Sequence, residues 1–96
     1  MPVSRIDHVA IPTDSPEEML GFYRALGFSA PEPTEWKKSG KNYFSVQFGD
    51  NKINFHAPSL WRGGTFTIRG KEAPFTLRGP TAVPGCADIC FVWEGP

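Results

Sequence analysis

The sequence predicts an α+β fold, a βαβββ module followed by one strand of a second module, on three observations. Its two histidines each sit in a short apolar strand pattern, His8 in the run Arg5 to Pro12 and His56 in the run Asp50 to Pro58. One sharply bounded amphipathic segment, Ser15 to Gly27, lies between them and carries helical rather than strand periodicity. Two further alternating segments precede His56, and the pattern of the first strand returns near the end of the chain. Three regions follow: a module over residues 1–58, an irregular linker over 59–85, and a strand over 86–96 that opens the second module.

In the first strand, alternation places Ile6, His8 and Ala10 on one face and Asp7, Val9 and Ile11 on the other. Both faces are largely apolar, which predicts an internal strand. Helix initiation is marked by Ser15 as N-cap, Pro16 at the first helical position and Glu18 completing a capping box. Glu17 and Glu18 also complement the positive end of the helix dipole. Met19, Phe22, Tyr23 and Leu26 recur at helical spacing as the expected buried stripe, and Gly27 supplies a left-handed stop.

Phe28 opens a segment broken by Pro31 and Pro33, expected as an edge strand or loop leading to Trp36. Ser39-Gly40-Lys41-Asn42 reads as a turn. Beyond it, Tyr43, Ser45 and Gln47 alternate with Phe44, Val46 and Phe48 as a strand. A hairpin turn at Gly49-Asp50-Asn51 leads into Lys52 to His56, where Ile53 and Phe55 form the apolar face and Asn54 and His56 the other. In the linker, Phe66-Thr67-Ile68-Arg69-Gly70 is nearly repeated as Phe75-Thr76-Leu77-Arg78-Gly79, too short a period for a solenoid and expected as a hairpin or extended loop. Ala87 to Trp93 is the final strand.

Composition narrows the function classes. Eight Phe, three Trp and two Tyr in 96 residues supply one core and hardly two. Net charge is zero, which argues against a nucleic-acid partner held by phosphate neutralisation. Residues 36–78 nevertheless hold eight basic against two acidic side chains, a local excess of +6 that reads as a solvated strand face, or as an attraction for an anionic small molecule. No apolar run reaches the roughly 20 residues of a membrane span, and no signal-peptide pattern opens the chain, so a cytoplasmic location is expected. Cys86 and Cys90 are too few for a secreted disulfide framework and are expected as reduced, buried thiols. Nucleophile elbows and phosphate loops are absent from the sequence.

Four segments in order resemble the glyoxalase, bleomycin-resistance and extradiol-dioxygenase superfamily, the vicinal oxygen chelate proteins. They are Ile6-Asp7-His8-Val9-Ala10-Ile11, the helix end Phe22 to Phe28, the strand Phe48 to His56, and Pro84 to Phe91. The resemblance implies paired βαβββ modules whose sheets curl into a cleft around one divalent metal ion, Fe, Mn, Zn or Ni. By position it implies His8 and His56 as metal ligands, with Asp88 at the place of a second-module ligand and no counterpart for the usual glutamate. No catalytic residue is assigned. The implied function is a metalloprotein of lyase or ring-cleaving dioxygenase type acting on a small oxygenated or aromatic molecule. The alternatives are a non-catalytic small-molecule binding module of the resistance type and an inactive truncated paralogue. A chain ending after one module would have to pair with a second copy, as a homodimer or a strand-swapped dimer.

Overall fold

The strand that ends in His56 is the centre of the sheet. In the computed structural model, which describes residues 2–62, 67–68, 71–72 and 82–95, β1 (Val9–Pro12) and β2 (Tyr43–Phe48) flank β3 (Asn51–His56) in the order β1-β3-β2. β2 and β3 form the expected antiparallel hairpin, with Phe48 paired to Asn51 across a two-residue turn. Gly49 takes φ 53° in that turn, a left-handed conformation that a side chain would strain. β1 runs parallel to β3, Val9 opposite Ile53 and Pro12 opposite His56, and the parallel pairing needs a crossover. Helix α1 (Pro16–Ala25) provides it.

α1 keeps its place but not its predicted details. Ser15 is the N-cap, yet its hydroxyl makes no capping bond, and Thr13 Oγ1 accepts from the Ser15 N–H at 3.0 Å instead. Gly27 ends the helix at φ 95°. The buried stripe is Leu20 and Tyr23 with Met19 beside it, whereas Phe22 and Leu26 are 57% and 43% exposed. A sheet of three strands is narrow, so it covers only the central line of a helix whose apolar arc is wider. Tyr23 and Phe44 both meet Phe55, at ring-centroid distances of 5.3 and 5.2 Å, and Phe55, Leu20 and Val46 are the largest fully buried side chains.

β1 is an edge strand, not an internal one, and Val9 is 51% exposed. The expected fourth strand is reduced to one bridge, Ser29 with Gln47, joined by hydrogen bonds of 3.0 and 2.8 Å. Pro31 falls at the next rung of that ladder and has no N–H to give. The chain turns away into α2 (Pro33–Ser39), a helix the alternation patterns do not reveal. Its signals are local: the Glu32 carboxylate caps the Glu35 N–H at 3.0 Å, Pro33 takes the first turn, and Gly40 closes it at φ 73°. These backbone bonds hold the Glu32 carboxyl below its usual pKa. Buried Trp36 sends its indole N–H to the Tyr43 carbonyl at 2.7 Å.

After β3, a short helix α3 (Pro58–Trp61) is tied back to the β1–α1 turn. Trp61 Nε1 donates to the Thr13 carbonyl at 2.9 Å, and Arg62 pairs with Asp14 at 2.9 Å. β4 (Thr67–Ile68) and β5 (Lys71–Glu72) pair antiparallel within the linker. Arg69 of the first copy of the repeat and the whole of the second copy, Arg78 included, lie outside the described residues. Residues 82–95 form no strand, contrary to expectation. A strand needs a partner for its backbone groups, and this segment is held by side chains instead. Phe91 packs edge-on against Tyr23, Phe28 and Phe48. Cys86 and Cys90 are exposed free thiols, not buried ones. Among the described residues, no helix is long and apolar enough to cross a membrane.

Candidate functional site

The strand period of two divides the sheet into a dry face and a polar one. Phe44 and Val46 on β2 and Ile53 and Phe55 on β3 are buried among the core, with α1 beside them. The intervening residues, Ser45 on β2 and Lys52, Asn54 and His56 on β3, are only partly buried and belong to the opposite face. His8, just ahead of β1, falls on this same face by continuation of the alternation. Both sequence-identified histidines therefore belong to the face opposite Ile53 and Phe55, the residues that pack into the core.

His56 is half-buried, and burial is the main cause of a pKa below the ordinary histidine value. The charge of His8 lowers it further. Both effects favour a neutral imidazole, the form that accepts a hydrogen bond or ligates a cation. Next to it, Ser45 Oγ donates to Asn54 Oδ1 at 2.6 Å across the antiparallel pair. That bond fixes the carboxamide and leaves its Nδ2 donors for another group.

His8 is organised differently. Its Nδ1 lies 2.7 Å from Asp7 Oδ2, and Lys52 Nζ is 3.6 Å from the same oxygen. The hydrogen bond from His8 and the charge of Lys52 hold the Asp7 carboxyl below its ordinary range. Alternation had placed Asp7 across the strand from His8, but pairing starts at Val9, so residue 7 is free to turn its carboxylate round. A carboxylate on one imidazole nitrogen orients the ring and leaves Nε2 facing outward, as in many ligand histidines. Strand alternation alone sets Asp7 and His8 on opposite faces, so this contact has no signal in the sequence pattern. Lys52, Asn54 and Ser45 had no signal beyond their parity with His56.

Register decides how the two histidines relate. His56 pairs with Pro12, so His8 lies beside Lys52, four residues away along β3. At about 3.3 Å per residue that offset is on the order of 13 Å between α-carbons. An ion bound by both rings needs their nitrogens at most roughly 4 Å apart, twice a metal–nitrogen bond, so the two side chains would have to reach toward each other across that α-carbon span. Among the described residues, no three of His, Cys, Asp and Glu gather into a group able to hold an ion. The two imidazoles suit a divalent cation in kind, and they amount to half a donor set in number. Asp88 is exposed and lines, with Asp7, His8 and Lys52, a recess of about 590 Å³ between β1 and residues 86–91. Tyr23 is buried in the core, and burial raises its pKa.

Comparison with known proteins matches this architecture. The family model described as the glyoxalase/bleomycin resistance protein/dioxygenase superfamily matches residues 5–84. A protein of Salmonella typhimurium named as a virulence protein is 30% identical over 97 aligned positions, covering 100% of this chain and 54% of the relative. The chain thus spans about half the length of the curated relative it matches. With β1 crossing through α1 to lie parallel to a hairpin strand, and with the family match running through all of these elements, the chain belongs to the glyoxalase/bleomycin resistance protein/dioxygenase superfamily.

Proposed function

We propose that the polar face of the sheet is one wall of a cleft for a small oxygenated or aromatic molecule, with His8 and His56 supplying donors to a divalent metal ion. The observation that carries this reading is the assignment of both histidines by strand parity to the face opposite the core, beside Lys52 and an Asn54 carboxamide fixed by Ser45. When bound, the ion would act as a Lewis acid on the substrate oxygens, the chemistry of a lyase or a ring-cleaving dioxygenase. The chain's own residues bind and orient. Asn54 offers Nδ2–H donors to a carbonyl or hydroxyl, Lys52 attracts anionic oxygen while paired to Asp7, and neutral His56 accepts a proton or ligates.

Two imidazoles do not complete a coordination set, so the remaining donors come from a second module or a second copy of the chain. Exposed Ile6, Val9, Val92 and Trp93 form apolar surface that association would cover. The test is equilibrium dialysis against Zn²⁺ or Ni²⁺ with the wild type, His8→Ala and His56→Ala. Metal retention is expected to fall in both variants, and unchanged retention in both would remove these residues as ligands.

The small number of donors among the described residues favours a second reading, a binding module of the resistance type that holds its ligand without metal. In that case a small aromatic ligand binds equally well with EDTA present. Loss of binding in EDTA eliminates it.

A further inference from the structure

The outer edge of β2 carries a gap that the candidate cleft does not use. In the antiparallel ladder with β3, the Ala57 N–H donates to the Asn42 carbonyl at 2.8 Å, which sets the even-numbered residues of β2 as those bonded inward. Tyr43, Ser45 and Gln47 therefore turn their backbone groups to the outer edge. Gln47 is satisfied there by Ser29, in both directions. The Tyr43 carbonyl is satisfied by the Trp36 indole at 2.7 Å. Ser45 falls between them, with both its N–H and its carbonyl turned outward.

Its natural partner is visible in the sequence. Continuing the Ser29–Gln47 bridge by one antiparallel rung brings residue 31 opposite Ser45, and residue 31 is proline. Pro31 cannot donate to the Ser45 carbonyl. The chain leaves for α2, and a recess of about 420 Å³ remains, walled by Pro31, Trp36 and Phe44 with Glu35 and Lys41 also lining it. We propose that this notch binds a short extended peptide, whose main chain exchanges a pair of hydrogen bonds with Ser45 in the place Pro31 cannot fill.

Three features select this occupant. Ser45 turns one donor and one acceptor of the same residue to the edge, with the Tyr43 N–H beside them, the signature of strand addition to a sheet edge. The gap is closed at both ends, by Ser29 and by Trp36, so a long strand or the full edge of a second copy does not fit. Glu35 and Lys41 are of opposite sign, which favours a peptide without net charge and with compact side chains. Ser45 thus serves two faces: its hydroxyl holds Asn54 toward the candidate cleft, and its main chain lines the notch.

The test is a titration of the ¹⁵N-labelled chain with acetyl-trialanine amide, compared with the same peptide N-methylated at its central residue, which cannot donate. The unmodified peptide is expected to shift the Tyr43 and Ser45 amides, with affinity about tenfold higher than the methylated form, the ratio expected for one hydrogen bond of about 1.4 kcal/mol. Pro31→Ala restores the missing N–H, lets residue 31 pair with Ser45, and is expected to abolish the response. No shift at millimolar peptide, shifts centred away from β2, equal binding of the methylated peptide, or a Pro31→Ala protein that binds like the wild type would each overturn the proposal.

Discussion

The two faces of β3 share one backbone and serve different ends. Ile53 and Phe55 are buried in the core, with Phe55 against Tyr23 of α1, while Asn54 and His56, one residue along from each, are only partly buried on the opposite, polar face. Strand parity separates the residues that hold the fold from the residues available for chemistry. Substitutions on adjacent positions should therefore differ in kind, and alternate residues test that most severely.

The largest effect is expected at Phe55, which is fully buried and touches Tyr23 and Phe44. Phe55→Ala should cost about 3–5 kcal/mol, read as a lower urea midpoint, and a cost near 1 kcal/mol would mean the dry face is not the core. Trp61→Phe keeps an aromatic ring but loses the indole N–H that bonds the Thr13 carbonyl along with the smaller ring of the indole, an expected loss of about 1 kcal/mol or more in the same measurement. Asn54→Ala removes the acceptor of the Ser45 hydroxyl at a partly exposed site, where about 0.5–1 kcal/mol is expected. Ligand or metal affinity should suffer more than stability in Asn54→Ala; the reverse order would place Asn54 among the structural residues.

The smallest effect is a pH dependence. His56 has a folded-state pKa below its unfolded value of 6.5, so the unfolded chain binds more protons at mildly acidic pH. Its contribution to stability is complete above pH 6.5 and is lost as the pH falls through the depressed folded value. Urea midpoints measured downward from pH 7.5 should decline over that window in the wild type and decline less in His56→Gln. Equal slopes would show that His56 is not buried enough to matter.

Much of this division was legible in the sequence because it rests on periodicity. The β2–β3 hairpin, the limits of α1 and the placing of Asn54 with His56 all follow from alternation and turn residues. Other features depend on partners that no local pattern names. α2 is held by a Glu32 cap and one buried tryptophan rather than an apolar stripe. β1 reads as internal from its two apolar faces and lies at the edge, because the number of strands is a tertiary fact. The segment from Ala87 to Trp93 has strand propensity but gains its hold through Phe91 rings instead of a ladder. At the site, His8 and His56 were visible as residue types, whereas their four-residue offset appears only once β1 and β3 are paired.

The polar face of the sheet, opposite the core, is proposed to carry the cation-binding donors. This assignment is tested most directly by adding substoichiometric Ni²⁺ to the ¹⁵N-labelled chain and mapping which amides broaden first. Broadening that starts at His8, Asn54 and His56 is the expected result. Broadening centred instead on Cys86 and Cys90, or an unperturbed spectrum, would contradict it.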